Sequence, residues 1–292
     1  MTLIRSTQTG WTRWHLIASC IFVLMGVMAT WDVWCDLAQI ASKDEEASHI
    51  ILVPIVALWL FWVRRGRLRD CEPTGTWIGP IVMGLGLILY QCGDHFVIQS
   101  FWHGGAIMFV LGCLLTILGW HVLMRFLPVA LVLIFLIPVP GRFRQQIAIP
   151  LENVTAIATQ ICCDFLGMDV KRFGNILTIR GVEVAIAEAC NGLRMVFALT
   201  MVSFAFAFGS PLRGSVRILV IVASPLSAII CNVLRLIPTV WMYGYHTEHA
   251  AEAFHDVSGW LMLPVSFLLL MGILRLLRWA LVPVTRFTLA YD

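Results

Sequence analysis

Charge is what this chain has least of. Only 13% of its 292 residues are charged, against 60% hydrophobic, and its mean hydropathy is +0.87. A soluble domain carries about 25% charge and about 45–50% apolar residues, so this chain cannot cover a water-facing surface. Its apolarity equally excludes a disordered chain. Nine cysteines include no Cys-x-x-Cys, which leaves a thiol-redox or zinc site without a motif. No small-x-small cleavage site follows the first apolar run, so that run is expected to remain a span and not leave as a signal peptide. There is no clear internal repeat. A net charge of +3 gives nucleic-acid binding no support. What remains is a polytopic membrane protein.

A membrane-crossing helix needs about 20 mostly apolar residues. Eight segments approach this: Trp14–Trp31, Ser48–Val63, Trp77–Cys92, His103–Val122, Phe126–Val139, Gly192–Gly209, Ile218–Tyr243 and Val257–Leu274. The fifth is short and bounded by Pro128 and Pro138, so seven is the competing count. Lys and Arg are retained on the cytoplasmic side. With the N-terminus inside, twelve of them fall inside and six outside, with Arg64-Arg65-Gly66-Arg67-Leu68-Arg69 as the strongest marker. The expectation is therefore an all-α polytopic membrane protein of about eight helices. It forms one integral domain over residues 1–292, with both termini cytoplasmic. The twelve Trp mostly flank the spans, as an aromatic belt does.

Two outer segments stand out, 141–189 and Gly244–Asp256. In the first, Ile147, Leu151, Val154, Ala158, Ile161 and Phe165 recur at helical spacing, with Glu152, Asn153 and Thr155 off that face. This predicts an amphipathic helix in the plane of the interface. Gly167 reads as its stop. The β-branched run Ile176–Ile186, with Arg180-Gly181 at its middle, predicts a short hairpin packed on the bundle. The chain then re-enters the membrane through Glu188-Ala189-Cys190-Asn191-Gly192-Leu193-Arg194.

Ionisable residues inside spans are costly and mark functional sites. Arg235 lies in a long apolar run, with Asn232 three residues before it on the same face and Pro238 three after. Arg194 lies at the outer start of the sixth span, where snorkelling to headgroups is an equal reading. His255 lies at the outer start of the eighth, after His246 and His249 in the preceding loop. Cys190, Arg235 and His255 thus come from three spans yet map to similar depth on the outer side. A thiolate is the nucleophilic form of Cys and is favoured by nearby positive charge. An imidazole can take and return its proton. A guanidinium can stabilise an oxyanion. The three types suit acyl transfer through a thioester. Taken alone, a Cys in an apolar chain is more often packing. Cys20, Cys113, Cys162 and Cys163 read that way, while Cys35 and Cys92 are placed to pair outside. His246, His249 and His255 have no acid to complete a metal site, and no metal or cofactor is expected.

At these residues the chain resembles the exosortase/archaeosortase family of polytopic membrane cysteine transpeptidases. The segment Ala189-Cys190-Asn191-Gly192-Leu193-Arg194 is similar to the family's A-C-S-G-[IL]-R box. Asn232-Val233-Leu234-Arg235 is similar to its N-x-x-R box, and His255 with Gly259 to its H-x-x-x-G element. Ser48-His49 resembles its S-H-G. Coverage runs from about residue 30 to 275. Asn191 stands where Ser is commoner and Ile50 where Gly is, departures that leave the triad intact and bear on the substrate motif.

The resemblance implies a catalytic triad of Cys190, Arg235 and His255. It implies supporting or substrate-binding roles for Glu188, Gly192, Arg194, Asn232, His49 and Gly259. The implied substrates are exported proteins with a C-terminal motif, a transmembrane helix and a basic cluster. They would be cleaved at the outer face of the inner membrane and passed to an unidentified acceptor nucleophile. Two other classes stay open. A transporter would use Arg235 as an anion site and is expected to show inverted repeats. A non-catalytic scaffold of an envelope complex would tolerate loss of Cys190.

Overall fold

The computed structural model describes residues 10–44, 47–186 and 192–279. The chain divides into two compact units, Met1–Pro140 and Gly141–Asp292. It is almost wholly helical, with one small sheet, as an all-α polytopic membrane protein should be. Four helical stretches are long and apolar enough to cross a membrane: Ser48–Asp70, Gln99–Arg125, Gly192–Gly209 and Gly214–Tyr245. The count rises to seven if each bent helix pair is one span.

The first unit holds α1 (Arg13–Ala29), α2 (Trp31–Lys43), α3 (Leu52–Arg64), α4 (Ile78–His95), α5 (Gln99–Arg125) and α6 (Leu127–Val132), with 3-10 turns at Ser48–Ile51, Arg65–Asp70 and Leu133–Leu136. The stretch α2 replaces what the sequence left as an outer loop. Its polar residues Asp32, Asp36, Gln39 and Lys43 keep it off any hydropathy count. Val33, Leu37 and Ala41 recur every four residues and are buried, so it is an amphipathic helix bent 76° from α1.

Glycine spacing explains how α4 and α5 pair. Gly79, Gly86 and Gly93 repeat every seven residues on α4, and Gly105, Gly112 and Gly119 do so on α5. Both rows are buried. A Cβ at Gly86 would sit 2.6 Å from the Phe109 backbone nitrogen, and one at Gly112 would sit 2.7 Å from that of Met83. Lipid supplies no hydrophobic drive between helices, so backbone-to-backbone contact along small residues supplies the attraction. Gly119 has φ +81° and kinks α5; a Cβ there would meet the Thr74 carbonyl. Gly86→Leu should therefore lower the stability of detergent-solubilised protein by at least the roughly 1–3 kcal/mol of overpacking, because the obstacle is backbone. Gly84→Ala, with nothing within 4 Å, should cause no loss in the same thermal melt.

The second unit holds α7 (Gly141–Phe165), β1 (Val170–Phe173), β2 (Ile176–Ile179), β3 (Val182–Ala185), α8 (Gly192–Gly209), α9 (Gly214–Tyr245) and α10 (Glu248–Trp279). The hairpin expected over Ile176–Ile186 is present. Val182 pairs with Ile179, and Arg180 (φ 51°) and Gly181 (φ 84°) form the two-residue turn whose left-handed backbone matches strand twist. The sequence reading missed β1, which adds an antiparallel third strand through the Gly174-Asn175 turn, pairing Val170 with Ile179. The stop at Gly167 is a Schellman cap. The Met168 N–H donates to the Cys163 carbonyl at 2.9 Å, and the Gly167 N–H to that of Asp164 at 3.0 Å.

The large apolar residues of α7 turn away from the protein, as a helix lying in the interface plane requires. Thr155, Ala156, Thr159 and Cys163 are buried. Val154, Ile161 and Phe165 are 56%, 62% and 91% exposed. In a lipid setting the small residues make the protein contact and the large apolar ones turn outward. Ala156 and Cys163 form one core with Val170, Leu177, Ile179, Val184, Leu236 and Val240, which joins α7, the sheet and the end of α9. The Asn175 amide donates to Glu152 on α7 at 2.9 Å. Arg180 lies 4.6 Å over the Tyr245 ring.

Candidate functional site

The long helix α9 carries the site. Most of its inward face is apolar or small, but Asn232 and Arg235 are only 3% and 4% exposed. Both have interactions within the protein. The local helix is shaped by proline. Pro225 cannot donate to the Ile221 carbonyl, and the Ser224 hydroxyl donates there instead at 2.8 Å. Pro238 likewise removes the donor for the Leu234 carbonyl, while Thr239 donates its hydroxyl to the Arg235 carbonyl at 2.8 Å. The backbone around Arg235 is thereby braced from its own helix.

Two glycines bring the neighbouring helices onto this pair. Gly192, the first residue of α8, is seated on Asn232: a Cβ there would lie 2.9 Å from the amide nitrogen and 3.7 Å from Leu151 of α7. Gly259 on α10 faces Arg235, and a Cβ there would lie 3.3 Å from the guanidinium. Glycine at both positions lets α8 and α10 approach side chains that any larger residue would displace. Below this level Met195, Leu199, Ala228 and Cys231 lock α8 and α9 together, with Met262 and Val265 of α10 packed on them.

His255 stands one turn before Gly259, on the same face of α10. Its Nδ1 lies 3.1 Å from the Asp256 carboxylate, which accepts and so leaves Nε2 as the free acceptor. Nε2 is buried without a hydrogen-bond partner among the described residues. The sequence reading missed Asp256, although adjacency to His255 was its only available signal. It also placed His249 in a loop. Here α10 begins at Glu248, because Glu248 at its first turn complements the helix dipole and the connection shrinks to His246-Thr247.

Of the other expected residues, Arg194 lies on the first turn of α8, half-buried and with interactions of its own. Cys190 and Glu188 lie outside the described residues, as does Asn191. His49 belongs to the first unit, half-buried in the 3-10 turn that opens α3. Cys35 and Cys92 are free thiols, so the outer pairing expected of them does not form. Among the described residues no three His, Cys, Asp or Glu side chains converge as metal ligands.

The first unit contains a buried ionisable pair that the sequence reading passed over. His103 is fully buried on α5, with Nε2 2.9 Å from Asp36 of α2. Its Nδ1 is 2.6 Å from the Gln99 carbonyl, which can only accept, so Nδ1 carries a hydrogen. Nε2 then faces the carboxylate as its hydrogen-bonding partner. Asp36→Ala, which strands the imidazole, should cost about 1–3 kcal/mol in thermal unfolding. Asp36→Asn, able to donate to a neutral Nε2, should cost less.

The fold and site together define a class: a polytopic helical membrane protein whose second unit gathers an Asn-Arg pair, a histidine and two close-packing glycines. Residues 34–272 match the transmembrane exosortase family (Exosortase_EpsH), and the chain belongs to that family. No curated protein and no solved structure matches the chain.

Proposed function

We propose that this exosortase is a membrane cysteine transpeptidase or peptidase. It would cleave the C-terminal sorting signal of exported proteins through a thioester at Cys190. Membership of the family supports a membrane sorting enzyme. The observation that carries the residue assignment is the seating of Gly192, two residues along the chain from Cys190, on Asn232, together with the seating of Gly259 against Arg235. These two contacts support a site that joins the three sequence boxes.

In the proposed reaction His255 Nε2 takes the Cys190 thiol proton. The thiolate attacks the scissile carbonyl carbon, and Arg235 stabilises the oxyanion. Collapse breaks the C–N bond, and His255 returns the proton to the leaving amine. This leaves the exported protein as a thioester on Cys190. An acceptor amine then attacks, the thioester bond breaks, and the thiol is restored. Water in place of the amine gives hydrolysis. Asn232 would orient Arg235. The substrate's transmembrane helix would lie beside the bundle, with its motif at the outer face of the inner membrane.

The test is intact mass spectrometry of the purified protein incubated with a peptide bearing a sorting signal from its own host. Wild type is expected to gain the mass of the acyl fragment, and Cys190→Ser is not. An adduct on both proteins would move the nucleophile elsewhere. No adduct across several host signals, with Cys190 dispensable for surface anchoring in cells, would favour a scaffold.

A further inference from the structure

An apolar cavity of about 280 Å³ lies within the first unit. It is a half-open pocket lined by α1, α3, α5 and α6, with Leu16, Phe61, Leu115, Phe126 and Ala130 among its walls. Its size is near the lower end of ligand cavities, about 300 Å³, and suits part of one hydrocarbon chain. One polar side chain in the wall is unsatisfied: Ser19, 8% exposed, whose hydroxyl has no hydrogen-bond partner among the described residues.

One end of this cavity is strongly basic. Trp11 and Leu68 form its rim, and the Trp11 indole donates to the carbonyls of Leu68 and Cys71, both at 2.8 Å. That bond sets the start of α1 against the 3-10 turn Arg65–Asp70. The Arg64 guanidinium donates to the Arg125 carbonyl at 3.3 Å, which brings the ends of α3 and α5 to the same place. Arg13, Arg65, Arg67, Arg69 and Arg125 are all exposed there, against the acids Asp70 and Glu72. Arg65 lies 3.8 Å over the Trp62 ring.

We propose that this is a binding site for one anionic phospholipid, its phosphate on the arginine cluster and one acyl chain in the cavity. Arginine's planar fork suits phosphate oxygens, and basic clusters at the cytoplasmic ends of spans favour anionic headgroups. The unsatisfied Ser19 hydroxyl sits less than two helical turns below Arg13, where the acyl ester carbonyl of such a lipid would need a donor.

The test uses the full chain in neutral detergent. Dioleoyl phosphatidylglycerol, dioleoyl phosphatidylcholine or glycerol 3-phosphate is added, and native mass spectrometry and thermal melting are the readouts. The phosphatidylglycerol is expected to survive as a one-to-one adduct and raise the melting temperature; the other two are not. The double variant Arg67→Gln/Arg69→Gln should bind it about 30-fold more weakly. Ala130→Phe, which fills the cavity, should lose the adduct. The arginine variant keeps the test decisive should Ala130→Phe fail to fold, because both arginines are exposed. Equal retention of phosphatidylcholine, or unchanged binding by the arginine variant, would reduce the site to ordinary annular lipid. Equal stabilisation by glycerol 3-phosphate would leave the cavity without a role.

Discussion

Cys190→Ala is expected to abolish sorting-signal processing while the chain still inserts and accumulates. Removing the nucleophile of a covalent enzyme costs on the order of 10⁶ in turnover, because attack, proton transfer and oxyanion stabilisation act as one unit. Of the other residues of the proposed mechanism, only His255, which moves the thiol proton, should show a comparable loss. The check is the fraction of a tagged substrate that stays unprocessed in cells, compared at equal membrane levels of enzyme. Processing within a few-fold of wild type would end the thioester account.

Arg235→Met should be strongly damaging as well, and its loss should be catalytic. Arg235 is only 4% exposed, and its guanidinium faces Gly259. Replacing a buried charge by an apolar residue of similar size is often neutral for stability, because the desolvation cost disappears along with the attraction. The melting temperature should therefore stay within a few degrees of wild type. Processing should fall by about 10²–10³, the loss that follows removal of one oxyanion donor. Arg235→Lys keeps the charge but loses the planar fork, so it should recover little. A variant at position 235 that processes normally would make the residue a packing element. One that fails to accumulate would make it a folding element.

The legible parts of this protein were those that hydrophobicity or backbone chemistry dictates locally. The apolar runs later seen as α3, α5, α8 and α9 were long enough that only helices could satisfy their backbone in lipid. Arg180-Gly181 marked its turn because few residue pairs accept two successive positive φ angles. The illegible parts were those where the partner decides. Helix α2 looked like a loop because its apolar residues form one narrow stripe. Strand β1, Val-Lys-Arg-Phe, has no strong pattern, and its pairing with Ile176–Ile179 makes it a strand.

Composition and periodicity alone determined that this is a helical membrane protein, and the ordered boxes around Cys190, Arg235 and His255 pointed to its family. Only the tertiary structure decided what packs beneath α7: with Ile161 and Phe165 turned to lipid, the small residues Thr155, Ala156 and Cys163 make the protein contact. It alone seated Gly192 on Asn232 and Gly259 on Arg235, contacts between residues forty and twenty-four positions apart in the chain. Spacing along a helix says which residues share a face. Which faces meet depends on the close approach that a missing Cβ allows, and that is a property of two helices together.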